Sequence, residues 1–185
     1  VIDEGCPGGG DADADTDVDA DTDVDVDTDT DTDTDTDDPP GSDIVDYCHI
    51  QWPCSGELSR FGGEGLEVYT WLYEEGETEG DGAASFMMVE IGIGDDGTEP
   101  STDSSWTWSL AMYRTDVDGL SAGDLANDEY TATLSAPPSV GTFNYAARVT
   151  RDGGSTYAYC DLGGDSCGGL GSTDGYDPAT AGVLT

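Results

Sequence analysis

From Asp11 to Asp37 every odd position is an aspartate: Asp11, Asp13, Asp15, Asp17, Asp19, Asp21, Asp23, Asp25, Asp27, Asp29, Asp31, Asp33, Asp35 and Asp37. Ala, Val or Thr fills each even position between them. Carboxylate oxygens are hard ligands, and a divalent cation such as Ca2+ collects about six to eight oxygens, so the row is a candidate cation-binding array. Period two adds sidedness. In an extended chain successive side chains face opposite ways, which puts the aspartates on one edge and the small residues on the other. The second edge carries Thr16, Thr22, Thr28, Thr30, Thr32, Thr34 and Thr36, whose hydroxyls are candidates for O-glycosylation. Same-edge carboxylates roughly 7 Å apart repel by about 0.6 kcal/mol per neighbouring pair in water, so an ordered row needs cations, sugars or a protein groove to hold it.

Further candidates lie downstream. In "DVDGLSAGD", Asp116, Asp118 and Asp124 have loop spacing suited to a second calcium site, although the full EF-hand order and its terminal Glu are missing. "GDDG", with Asp95 and Asp96, is similar. Trp71, Trp106 and Trp108 are flat apolar surfaces able to stack on sugar rings. Trp106 and Trp108 share strand parity, and a chain this poor in Leu and Phe is expected to turn them, and Trp52, into its core. The single histidine, His49, and the acidic pair Glu74 and Glu75 do not make a recognisable catalytic set, so no enzyme activity and no organic cofactor are expected.

The cysteines point to an oxidising, extracellular or cell-surface setting. "CHIQWPC" and "CDLGGDSC" lack the partners of a zinc site, and no CxxC occurs. Cys48 and Cys54 are too far apart on an extended segment to bridge unless the chain turns. Bridges from the first pair to the second, Cys48 to Cys160 and Cys54 to Cys167, are therefore expected. Cys6 is left over and is a candidate for a bond to another copy.

The elements that would position these groups follow from composition. Residues 1–43 contain no aromatic side chain and few bulky apolar ones, too little to offset ordering entropy, so they read as an acidic arm. Residues 44–185 hold every Trp, Tyr and Phe and suffice for one modest core. Within them "LEVYTWLYEE" alternates Val68, Thr70 and Leu72 against Tyr69, Trp71 and Tyr73. "SFMMVEIGIG", "SSWTWSLAMY", "DEYTATLSA", "GTFNYAARVT" and "STYAYCDLG" continue in strand period, with a hairpin signal at Asp152 to Gly154. Seven or eight short strands with Gly, Asp and Pro turns predict an all-β, antiparallel, immunoglobulin-like sandwich behind a long N-terminal arm.

The net charge of -38, with four Arg and no Lys, makes nucleic acid an unfit partner and favours divalent cations. No apolar stretch approaches the length of a membrane-spanning helix. Together, "CHIQWPC", "VEIGIGDDGTEP", "WTWSLAMY", "NDEYTATL", "GTFNYAARVTRDGGSTYAYCDL" and "GYDPATAGVLT" resemble a β-sandwich module of secreted proteins from myxobacteria and related bacteria, often preceded by Asp/Thr linkers. The tryptophan pair and the "RVTRDGGSTYAYCD" hairpin are more distantly similar to immunoglobulin-like starch-binding modules. The resemblance implies a secreted, noncatalytic domain. The resulting expectation is a structural protein that polymerises with copies of itself into a filament or surface layer. A carbohydrate-binding module on an acidic spacer is the alternative.

Overall fold

The structure, a computed structural model, describes residues 44–53, 57–58, 60–162 and 175–185. All belong to the second of two units into which the chain divides, Asp35–Thr185. Among the described residues ten strands follow one another: β1 Tyr47–Trp52, β2 Glu57–Leu58, β3 Gly65–Tyr73, β4 Met88–Asp95, β5 Thr107–Leu110, β6 Met112–Val117, β7 Asn127–Ser135, β8 Phe143–Thr150, β9 Ala158–Cys160 and β10 Gly182–Leu184. They form a four-stranded sheet in the order β1-β3-β7-β6 and a second sheet in the order β2-β10-β8-β4-β5. β9 pairs with β8 beyond the stretch that β10 occupies. All pairings are antiparallel except that of β2 with β10. This is the strand order of an immunoglobulin-like sandwich.

Alternation builds the interior. Ile50 on β1, Leu66, Val68, Thr70 and Leu72 on β3, and Tyr130, Ala132 and Leu134 on β7 turn inward from the first sheet. Val89, Ile91 and Ile93 on β4 and Tyr145, Ala147 and Val149 on β8 meet them from the second. Each fully buried Leu, Ile or Val contributes on the order of 1.5–3 kcal/mol. Thr70 is tolerated inside because its hydroxyl donates to the His49 carbonyl at 2.8 Å.

One edge of the sandwich is closed covalently. Cys48 on β1 and Cys160 on β9 form a disulfide with a Cα separation of 5.7 Å, as the paired spacing predicts. Beside it the Ile50 amide donates to the Asp161 carbonyl at 2.8 Å, so the free edge of β1 is satisfied by the chain leaving β9. The expected partner bridge, Cys54 to Cys167, and the whole arm with Cys6 lie outside the described residues.

Three expectations are corrected. "SSWTWSLAMY" is two strands in different sheets: β5 pairs with β4, the chain crosses at buried Ala111, and β6 pairs with β7. Trp52 is 51% exposed and outside the core, because a bulge between Ile50 and Trp52 sets it opposite outward-facing Tyr69 and reverses its parity. Trp106 and Trp108 lie on the outer face of the second sheet, outside the main core cluster; Trp106 is buried there, as expected of it, and Trp108 is half-buried. Gly92 and Gly94 leave bare backbone there, and a Cβ at either position would come within 2.5 Å of the Trp108 or Trp106 ring. The hairpin at Asp152 to Gly154 forms as expected, with Gly153 and Gly154 at φ 71° and 95° and the Asp152 carboxylate accepting from the amides of Ser155 and Thr156.

The Cys48–Cys160 bridge closes a separation of 112 residues. Cys48→Ser should lower the unfolding free energy by about 2–5 kcal/mol, read from urea titrations without reductant. An unchanged midpoint would show that the bridge does not constrain the unfolded chain.

Candidate functional site

The outer surface of the first sheet carries the half-buried row Tyr69, Trp71 and Tyr73, set outward because Val68, Thr70 and Leu72 face the core. Trp71 lies opposite Glu129 on β7, and its indole Nε1 donates to Glu129 Oε2 at 2.9 Å. The other oxygen of Glu129 is paired with Arg114, whose guanidinium lies 5.3 Å from the Tyr69 ring centre. Arg114 reaches this position because β6 is bulged between Tyr113 and Thr115. Tyr73 donates its hydroxyl to Glu79 at 3.1 Å. Chemically this surface offers flat ring faces beside one fixed cation and one fixed carboxylate. Such a combination can stack on a sugar ring and bond its hydroxyls.

Trp106 and Trp108 are placed differently. Their rings stack at 5.4 Å, the Trp106 Nε1 donates to Thr98 at 3.0 Å, and Tyr176 meets Trp106 edge-on. Arg148 is held by Glu90 and lies 4.2 Å from the Trp108 ring and 4.0 Å from the Tyr157 ring. These faces are largely occupied by one another and by the sheet. Of the three tryptophans that are candidates for sugar stacking, Trp71 has the most suitable surroundings.

Asp116, Asp118 and Asp124 do not converge. Asp124 accepts the amides of Gly119, Ser121 and Ala126, which hold its carboxyl below the usual range. Exposed Asp118 contributes its backbone carbonyl to Asn127. Asp116 turns inward, the same bulge having reversed its parity, and accepts from the Tyr113 hydroxyl at 2.6 Å and the Gly82 amide at 3.3 Å. That bond to Asp116 pushes the Tyr113 hydroxyl up to about 12. Among the described residues no group of three or more His, Cys, Asp or Glu is placed to hold a metal ion. Asp95 keeps its backbone carbonyl on the Thr98 hydroxyl at 2.6 Å, again a turn contact.

The inward turn of Asp116 sets it opposite Asp128, which is fully buried. Asp128 Oδ2 accepts from the Ala84 amide at 2.9 Å and the Tyr130 hydroxyl at 3.3 Å, while Oδ1 has no partner. Burial, reinforced by the Asp116 charge, pushes the Asp128 carboxyl up. His49 is also buried, with no hydrogen bond to either ring nitrogen, and burial lowers its pKa against the opposing pull of Asp161. Glu74 is committed to Arg151 and to the Asp46 amide, and Glu75 donates its own amide to Asp46.

No protein-family model matches the chain, and no curated protein is significantly similar to it in sequence. What the fold defines is a disulfide-clamped, immunoglobulin-like β-sandwich. Among the described residues no helix is long and apolar enough to cross a membrane.

Buried His49 and Asp128 should move stability in opposite directions. The unfolded chain takes up a proton on His49 near pH 6.5, whereas the folded chain resists it, so stability present at neutral pH is lost as pH falls through 6.5. His49→Gln should flatten that slope between pH 7.5 and 5.5. Asp128 has a raised folded pKa, so its contribution is present at low pH and is lost as pH rises through the folded value. Asp128→Asn should raise stability at pH 7.5 by about 1 kcal/mol and lose that advantage near pH 4. Parallel pH profiles for wild type and both variants would remove this account.

Proposed function

We propose that this chain is an extracellular, noncatalytic structural protein, the protomer of a filament or surface assembly whose Asp/Thr arm links neighbouring copies. The observation that carries the reading is the strict period two from Asp11 to Asp37, which gives an extended arm two chemically different edges. The aspartate edge collects divalent cations, calcium foremost, and the Thr, Val and Ala edge packs on protein or carries O-linked sugar. Support also comes from the arm's junction with the sandwich. Ile44 and Val45 are buried, and β1 follows at once, paired to β3 and bridged to β9 by Cys48–Cys160. A pull on the arm therefore meets a packed strand with a covalent tie. Cys6 adds an intermolecular disulfide between arms.

A second reading, a carbohydrate-binding module on an acidic spacer, is favoured by the Tyr69, Trp71 and Tyr73 row with Arg114 and Glu129 beside it. The two readings separate under the electron microscope. With calcium the native chain should form long uniform fibres, and a chain with residues 11–37 in shuffled order should form none while keeping its charge and length. Native arms should resist protease with calcium and become labile in chelator. Dispersed particles for both chains, together with polysaccharide binding that is lost in Trp71→Ala, would replace the structural role with the binding role.

A further inference from the structure

Residues 74–87, which join β3 to β4, are fastened to the first sheet through side chains and amides of their middle stretch. The buried Thr78 hydroxyl donates to the Ala126 carbonyl at 2.7 Å, just before β7 begins. The Gly82 amide donates to Asp116 on β6, and the Ala84 amide to Asp128 on β7. Two of these fastenings therefore end on one pair of carboxylates. Asp116 and Asp128 are cross-strand partners, and partners on one face have Cβ atoms about 4.5–5.5 Å apart. Three of their four oxygens accept: Asp116 Oδ1 from the Tyr113 hydroxyl, Asp116 Oδ2 from Gly82, and Asp128 Oδ2 from Ala84 and the Tyr130 hydroxyl. The fourth, Asp128 Oδ1, is buried without a partner.

We propose that Asp116 and Asp128 share one proton, carried on Asp128 Oδ1 and donated to the Asp116 carboxylate, and that this proton keeps residues 78–84 fastened. A protonated carboxyl is a donor, so the oxygen that lacks a partner gains the acceptor beside it. Two like charges become one. The groups that act on Asp128 most strongly are Ala84, Tyr130 and Asp116, none of them a cation, and Asp81 of the joining segment adds a further negative charge toward Tyr113. Arg114 is committed to Glu129, and Arg151 to Glu74 and Glu77. Amide and hydroxyl donors on the other three oxygens suit a proton better than a metal ion, which would need those lone pairs for itself.

Burial holds the Asp128 carboxyl above the usual range, so the proton is kept at low pH and lost to water as pH rises through that raised value. Two carboxylates then face each other. Asp116 is the one free to move, being half-buried, on edge strand β6 and next to its bulge. Its departure breaks the Gly82 contact and loosens the segment above it. This device is complete within one copy and does not rest on the assembly reading.

The test follows hydrogen exchange at the Gly82 and Ala84 amides of the full chain, each rate referred to that of an unfolded peptide at the same pH. Between pH 5 and pH 9 their protection should fall by about tenfold or more, while the Ile50 amide stays protected. Asp128→Asn puts an amide donor where the proton was and should hold the protection level across that range. In the infrared, one carboxylic-acid component should titrate after the rest and be missing from Asp128→Asn. Equal protection in the two chains at every pH, a fall shared by Ile50, or no late-titrating component would overturn the shared proton. So would protection that calcium restores at alkaline pH and chelator removes, since a cation would then bridge the pair.

Discussion

The sandwich depends on the join between its first strand and its last hairpin. β1 is an edge strand with a single sheet partner, and its other edge would expose unpaired amides and carbonyls beside the core. The Cys48–Cys160 bridge and the bond from the Ile50 amide to the Asp161 carbonyl close that edge onto the opposite sheet. Immunoglobulin domains commonly tie their two layers through the middle strands. Here the tie sits at the margin, on the strand that continues into the arm. The covalent link therefore lies where pulling force would enter the domain.

A second constraint is the scarcity of cations. With 42 acidic residues and four arginines, ion pairing cannot neutralise the chain, and the fold deals with its carboxylates locally. Arg114, Arg148 and Arg151 hold Glu129, Glu90 and the pair Glu74 and Glu77. Asp124 and Asp152 instead accept backbone amides of their own turns, which stabilises the charge without a counter-ion. Among the described carboxylates Asp128 differs, buried with one oxygen unpartnered and a second carboxylate opposite it.

Much of the strand architecture was legible in the sequence. Period two in "LEVYTWLY" and "VEIGIG" marked the faces of β3 and β4 correctly, and the two cysteine pairs pointed to the Cys48–Cys160 bridge. Parity failed where a strand carries an extra residue. The bulges after Ile50 and Tyr113 turned Trp52 out and Asp116 in, and neither leaves a glycine or proline within the bulge to announce it. The face taken by Trp106 and Trp108 was misassigned for another reason, although Trp106 is buried as expected. Two glycines on the neighbouring strand create an apolar surface outside the core, and only the pairing of β4 with β5 reveals that rings and glycines share it. Arg114 and Glu129 were equally invisible, because their contact with Trp71 and Tyr69 spans three strands.

The crossing at Ala111 limits how such a domain can change over generations. β5 and β6 are separated by this one buried residue, yet belong to different layers, so the orientation of each fixes that of the other. The turns at residues 118–126 and 136–142 are open enough to absorb lengthening, since gains there leave both flanking strands in register. A single residue gained or lost beside Ala111 has no such outlet. It would face Trp108 inward or swing Tyr113 and Asp116 to the surface. Length variation among descendants of this chain should therefore collect at the two ends of the sandwich and be absent from the crossing.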